Sequence, residues 1–86
     1  DGLRMEIDRL NEEIVEKLAQ RVEAAIRIGA SKRRLGRPIV DPAREAEVYR
    51  RIREMARRRG LEVVGVERVF REIIRLCTEA QMEART

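Results

Sequence analysis

Arg4, Arg21 and Lys32 stand where a helix should bury apolar side chains. At alternating three- and four-residue steps the first third of the chain reads Arg4, Ile7, Asn11, Ile14, Leu18, Arg21, Ala25, Ile28, Lys32, an amphipathic stripe interrupted by cations and one amide. A charge in such a seam is costly unless something pairs with it. Setting register, or pairing with acids across an interface, is one use of seam polar groups; gripping an anionic ligand is another. Arg21 and Lys32 lie almost three whole turns apart, so on a helix they point the same way with about 16 Å between their backbones. Two long side chains can close that gap on one small anion. Arg4 lies about 25 Å from Arg21 along the same rod, so it serves the same ligand only from a second, antiparallel chain.

Two further groups accompany the cations. Asp41, Arg44 and Glu45 cluster in the stretch GRPIVDPAREAEV, residues 36–48, where one helix stops and another starts. Cys77 and Gln81 stand four residues apart, on one face of a helix. An amide is a neutral hydrogen-bond donor at any ordinary pH, although Gln81 taken alone also suits the boundary of an apolar stripe near a fraying end.

What is missing narrows the chemistry. The sequence has no histidine, a single serine, Ser31, and a single cysteine, Cys77. The commonest general base and metal ligand are therefore lacking, as are histidine relays, a disulfide within the chain and cysteine metal clusters. No phosphate-binding or dinucleotide glycine motif is present. Any catalysis must rest on positioning and electrostatics, with little proton transfer and no covalent intermediate.

The elements that must hold these residues read as three helices. The first stripe predicts a helix over about 2–34, with Gly36 suited to a left-handed cap and Pro38 unable to continue it. Asp41 reads as an N-cap and Pro42 as the first residue of a second helix, ending near Arg59 and Gly60. Its apolar side is Val48, Ile52, Met55 and Ala56. A third helix, from about 63 to 84, carries Val66, Val69, Phe70, Ile73, Ile74, Cys77 and Ala80 on one face. A helix of about 33 residues is roughly 50 Å long, whereas a compact chain of this length has a radius of gyration near 12 Å. Two short helices cannot cover such a rod, so an isologous dimer is expected.

Composition agrees with an all-α single domain spanning 1–86. Of 86 residues, 43% are hydrophobic but only Tyr49 and Phe70 are aromatic, leaving aliphatic side chains to build a small core. Arginine supplies 18 of the 20 basic residues, against 16 acidic ones. That side chain suits planar carboxylates and phosphates, and the basic excess raises nucleic acid as a partner. The acids are interspersed throughout, however, so most charges should be solvated surface and intrahelical pairs. With no apolar run of membrane-spanning length and no signal-peptide core, the protein is expected to be soluble and cytoplasmic. A start at Asp1 without methionine is expected of a trimmed or excised segment.

The ordered set Leu3-Arg4, Ala19-Gln20-Arg21, Gly29-Ala30-Ser31-Lys32, Arg37-Pro38-Ile39-Val40-Asp41, Arg44-Glu45 and Phe70 with Gln81 eleven residues later resembles the all-helical AroQ-type chorismate mutases. The match runs over nearly the whole chain. It implies an intertwined homodimer of three-helix chains and the pericyclic rearrangement of chorismate to prephenate, a step toward phenylalanine and tyrosine that needs no cofactor and no metal. Carried onto the matching positions, it implies that Arg21 and the partner chain's copy of Arg4 hold the two carboxylates of the substrate. Lys32 and Gln81 would donate to its ether oxygen, and Glu45 would accept from its ring hydroxyl, with Asp41 assisting and Arg44 orienting the group. Cys77 occupies a position where many relatives carry a serine that contacts a carboxylate, and a thiol is a weaker donor.

Three alternatives accompany this reading. A relative with the same framework could act on isochorismate. An arginine-rich helical dimer could bind nucleic acid, with affinity falling steeply as salt rises; against it, Arg21 and Lys32 share their stripe with Ile14, Leu18 and Ile28. A dimerisation module would instead neutralise Arg4, Arg21 and Lys32 with glutamates in a dry interface.

Overall fold

A computed structural model describes residues 1–84 as three helices: α1 (Gly2–Arg34), α2 (Pro42–Arg58) and α3 (Val63–Glu83). No strand occurs among the described residues, and the all-α expectation holds. The Asp1 carboxylate accepts from the Arg4 amide to start α1, and Asp41 does the same for Arg44 at the start of α2, with Pro42 following as predicted. Glu62 caps α3 by accepting from Val64 at 2.7 Å and Gly65 at 3.0 Å.

Both α1 and α2 end in the same way. Gly36 and Gly60 each take φ 68°, the left-handed conformation open to a residue without a Cβ. Beyond each, the chain folds back onto the helix. Arg37 donates to the Lys32 carbonyl at 2.8 Å and Gly36 to Arg33 at 3.1 Å, while Leu61 donates to Ala56 at 2.9 Å and Gly60 to Arg57 at 3.1 Å. These are the paired bonds of the Schellman motif, which satisfy carbonyls that the helix leaves free. Arg59 and Ala84 serve as C-caps, so α2 and α3 each end one residue before the predicted boundary.

α3 packs against both other helices. Among the described residues the buried ones are few: Ala25, Gly29, Ile52, Ala56, Cys77 and Gln81. Arg53 of α2 reaches across to Glu67 of α3, which also accepts from Arg71. Other ion pairs run three or four residues along one helix, such as Arg9–Glu13, Arg27–Glu23 and Arg51–Glu47, as the interspersed charges imply.

The N-terminal half of α1 projects beyond this core. Every residue from 1 to 17 is exposed, including Leu3 at 76% and Ile7, Leu10, Ile14 and Val15. The chain measures 51 × 26 × 14 Å with a radius of gyration of 15.3 Å, well above the roughly 12 Å of a compact chain this long. A row of large aliphatic side chains thus stands in solvent on a stretch of helix that no other described residue of the chain covers.

Candidate active site

Between the C-terminal half of α1, the α1–α2 loop, the first turns of α2 and the last turns of α3 lies an open cleft of about 370 Å³. Arg21, Lys32, Asp41, Arg44, Glu45, Cys77 and Gln81 all line it, together with Ile28, Ile39, Val48, Ile74 and Thr78. Seven of the eight residues singled out in the sequence therefore meet at one place. The eighth, Arg4, is elsewhere: its side chain is 88% exposed near the tip of α1 and lies 3.7 Å from Asp1.

Each cation on the α1 wall is held by one neighbour and keeps donors in reserve. Arg21 Nη1 donates to Cys77 Sγ at 3.0 Å, which occupies one of five guanidinium hydrogens. Lys32 Nζ donates to the Ile39 carbonyl at 2.9 Å, leaving two of its three hydrogens. Among the described residues neither cation is in a salt bridge, so no acid competes with a ligand for either. The register of α1 explains the arrangement, because 11 residues bring the two side chains back to the same face from opposite ends of the cleft.

The α3 wall supplies the buried partners. Cys77 is 4% and Gln81 9% exposed. Gln81 Nε2 donates to the Ala25 carbonyl at 2.8 Å. A carbonyl oxygen only accepts, so this bond fixes which end of the amide is which and leaves Nε2 a second N–H. Across the cleft, Glu45 is half-buried in the first turn of α2. Arg44 donates to Glu47 at 3.2 Å and not to Glu45, since adjacent helical residues do not face each other. Asp41 spends one oxygen on the N-cap.

Sequence reasoning missed the backbone partners, the Ile39 and Ala25 carbonyls, and also Ile74 and Thr78. Ile74 was legible only as part of the α3 stripe. Thr78 carries no periodic signal, and a carbonyl is identical at every position. Among the described residues there is no group of three or more acids and cysteines placed to hold a metal ion. No helix is long and apolar enough to cross a membrane.

The cleft thus brings two cations, a neutral amide donor and a half-buried carboxylate together between aliphatic walls. The chain belongs to the chorismate mutase type II family, whose sequence profile matches residues 3–82. It is 38% identical over 82 residues to a bifunctional chorismate mutase/prephenate dehydratase of Aquifex aeolicus (strain VF5), a match covering 87% of this chain and 22% of that protein. It is 34% identical to the T-protein of Haemophilus influenzae, over 85% of this chain and 19% of that one. With the chorismate mutase of Methanocaldococcus jannaschii it shares 33% identity over 73 residues, 84% of this chain and 73% of the relative. The chain thus spans about a fifth of the first two relatives and most of the third.

Proposed function

We propose that this chain is a chorismate mutase, rearranging chorismate to prephenate as a cytoplasmic homodimer in phenylalanine and tyrosine biosynthesis. The observation that carries the reading is the convergence of Arg21, Lys32, Glu45 and Gln81 on one cleft in a chain of this family. In the rearrangement one C–O bond breaks as one C–C bond forms, and no proton need be moved. Residues are then required only to select a conformer and to stabilise charge.

Arg21 and the partner subunit's Arg4 take the two carboxylates. Bidentate guanidinium contacts of this kind fix both distance and plane, holding the substrate in a compact, chair-like form. Lys32 and Gln81 direct their spare hydrogens at the ether oxygen, where negative charge grows as the C–O bond lengthens. Those bonds are stronger in the transition state than in the ground state, and so contribute to rate. Glu45 accepts from the ring hydroxyl, with Asp41 and Arg44 at the rim. Cys77 holds Arg21 and has a secondary part in binding.

The dimer reading is supported by the bare apolar row from Leu3 to Val15 and by the distance of Arg4 from the cleft of its own chain. An antiparallel partner laid along α1 would cover that row and bring a second Arg4 to the cleft. The test is to mix purified protein with chorismate in the absence of metal and cofactor, and to follow loss of its absorbance and appearance of prephenate. Turnover is expected from the native sequence. Arg21→Ala and Lys32→Ala should each lower kcat/KM by at least about 10²-fold while the helical circular dichroism signal is retained. Full activity in both variants would exclude the assigned site.

A further inference from the structure

Gly29 is buried where α1 meets the end of α3. A Cβ placed on it would lie 3.1 Å from Gln81 Cγ and 3.3 Å from Gln81 Cβ, but an ordinary 3.5 Å from Ile39 Cδ1. The crowding is therefore directed at Gln81. One turn earlier on the same face is Ala25, whose carbonyl accepts the Gln81 amide at 2.8 Å. In a helix the carbonyl of residue i points toward residue i+4, so the carbonyl of Ala25 is overhung by whatever side chain stands at 29. With glycine there, its second lone pair is open to a side chain from α3. Arg33 also donates to the Gln81 carbonyl at 3.4 Å, a second tie between α1 and the end of α3.

We propose that Gly29 is a positioning residue for Gln81: the missing side chain uncovers the Ala25 carbonyl, which captures one amide hydrogen and turns the other into the cleft. This inference rests on the mutase reading for its consequence in catalysis, but not for the latch itself. A methyl group at 29 pushes the Gln81 side chain off the Ala25 carbonyl. Its Nε2 then loses the aim that lets it donate to a developing negative charge. Lys32, held from the other side by Ile39, keeps its place.

The latch is readable without substrate. Asn11, Gln20 and Gln81 are the only carboxamide side chains in the sequence, so a proton–nitrogen correlation spectrum contains three such pairs. In the native protein one Gln81 side-chain hydrogen should exchange with solvent at least about tenfold more slowly than those of exposed Gln20, as a buried bonded hydrogen does. In Gly29→Ala that protection should vanish while the circular dichroism is unchanged. In the chorismate assay, Gly29→Ala should lower kcat at least about tenfold with KM altered less than about threefold, the signature of a misplaced catalytic group. In a Gln81→Ala background the same change should cost nothing further. Equal exchange of Gln81 and Gln20 in the native protein overturns the latch, whether or not the variant folds. An equal loss of kcat from Gly29→Ala with and without Gln81 also overturns it. Native protein that shows the protected hydrogen but does not consume chorismate would refute the mutase reading and leave the latch supported.

Discussion

The Arg21 guanidinium donates to the sulfur of buried Cys77 across 3.0 Å. This contact spans the cleft wall from α1 to α3 and settles where Arg21 points before any ligand arrives. Sulfur is a weak acceptor and the thiol a weak donor, so the contact orients the arginine without binding it tightly. A hydroxyl in the same place would be a better acceptor for Arg21 and a better donor to a ligand carboxylate. Cys77→Ser is therefore expected to lower KM for chorismate by about threefold, less than the tenfold that 1.4 kcal/mol would give, with kcat little changed. Cys77→Ala should raise KM by a similar factor. Steady-state kinetics on the two variants check both directions.

The bond from Gln81 to the Ala25 carbonyl makes the amide's neutrality testable. In Gln81→Glu the side chain meets the same carbonyl oxygen, which accepts a hydrogen bond from a protonated carboxyl group and repels a carboxylate. Burial also penalises the ionised form, so the introduced group should titrate above the ordinary glutamate value of about 4.3. Only the protonated group can donate to an ether oxygen, and its single hydrogen must leave the Ala25 carbonyl to do so, so even peak activity should fall below the native level. Activity of the variant should thus be greatest below its pKa and be lost as pH rises through it. A pH profile of kcat/KM that stays flat from about 5 to about 8, above the ordinary glutamate value of about 4.3, would refute this role for Gln81.

Helix ends offer a test of the fold separate from chemistry. Gly60 holds φ 68° between α2 and α3, and a Cβ there would meet nothing within 4 Å. The only penalty for Gly60→Ala is then the left-handed backbone, about 1–2 kcal/mol. Thermal unfolding should shift down accordingly, while kcat stays at the native level because Gly60 does not line the cleft.

Much of this architecture was legible in the residues themselves. The three-four stripes gave the helices, and Gly36, Gly60, Asp41 and Pro42 gave their ends, because capping depends on local chemistry. Arg21 and Lys32 were legible as cations in an apolar stripe, Cys77 and Gln81 as a pair on one helix face, and Asp41, Arg44 and Glu45 as a cluster at a helix entrance; their order along the chain carried the family resemblance. Their partners were not. Ile39 and Ala25 act through carbonyls that every residue owns, and Glu62 caps α3 from a stretch without the usual Ser, Thr, Asp or Asn. The role of Gly29 depends on where α3 crosses α1, which a helical period does not encode. Nor was the partner of the Arg44 side chain legible: it is Glu47, three residues on.

Arg4 supplies the sharpest test of the assembly. Its side chain is exposed at one end of α1, about 25 Å from Arg21 by helical rise. If the partner subunit's Arg4 completes each cleft, then Arg4→Ala and Arg21→Ala are each inactive alone but complementary when mixed. After unfolding together and refolding, half of the dimers are mixed. In each mixed dimer one cleft combines intact Arg21 with the other chain's intact Arg4, and the second cleft lacks both. About a quarter of native activity should therefore return, as the two-fold symmetry of an isologous dimer requires. If Arg4 instead served the cleft of its own chain, every cleft in a mixed dimer would lack one arginine and no activity would return. Sizing the refolded mixture alongside the assay distinguishes that outcome from a failure to dimerise, since separate protomers would leave the apolar row from Leu3 to Val15 uncovered.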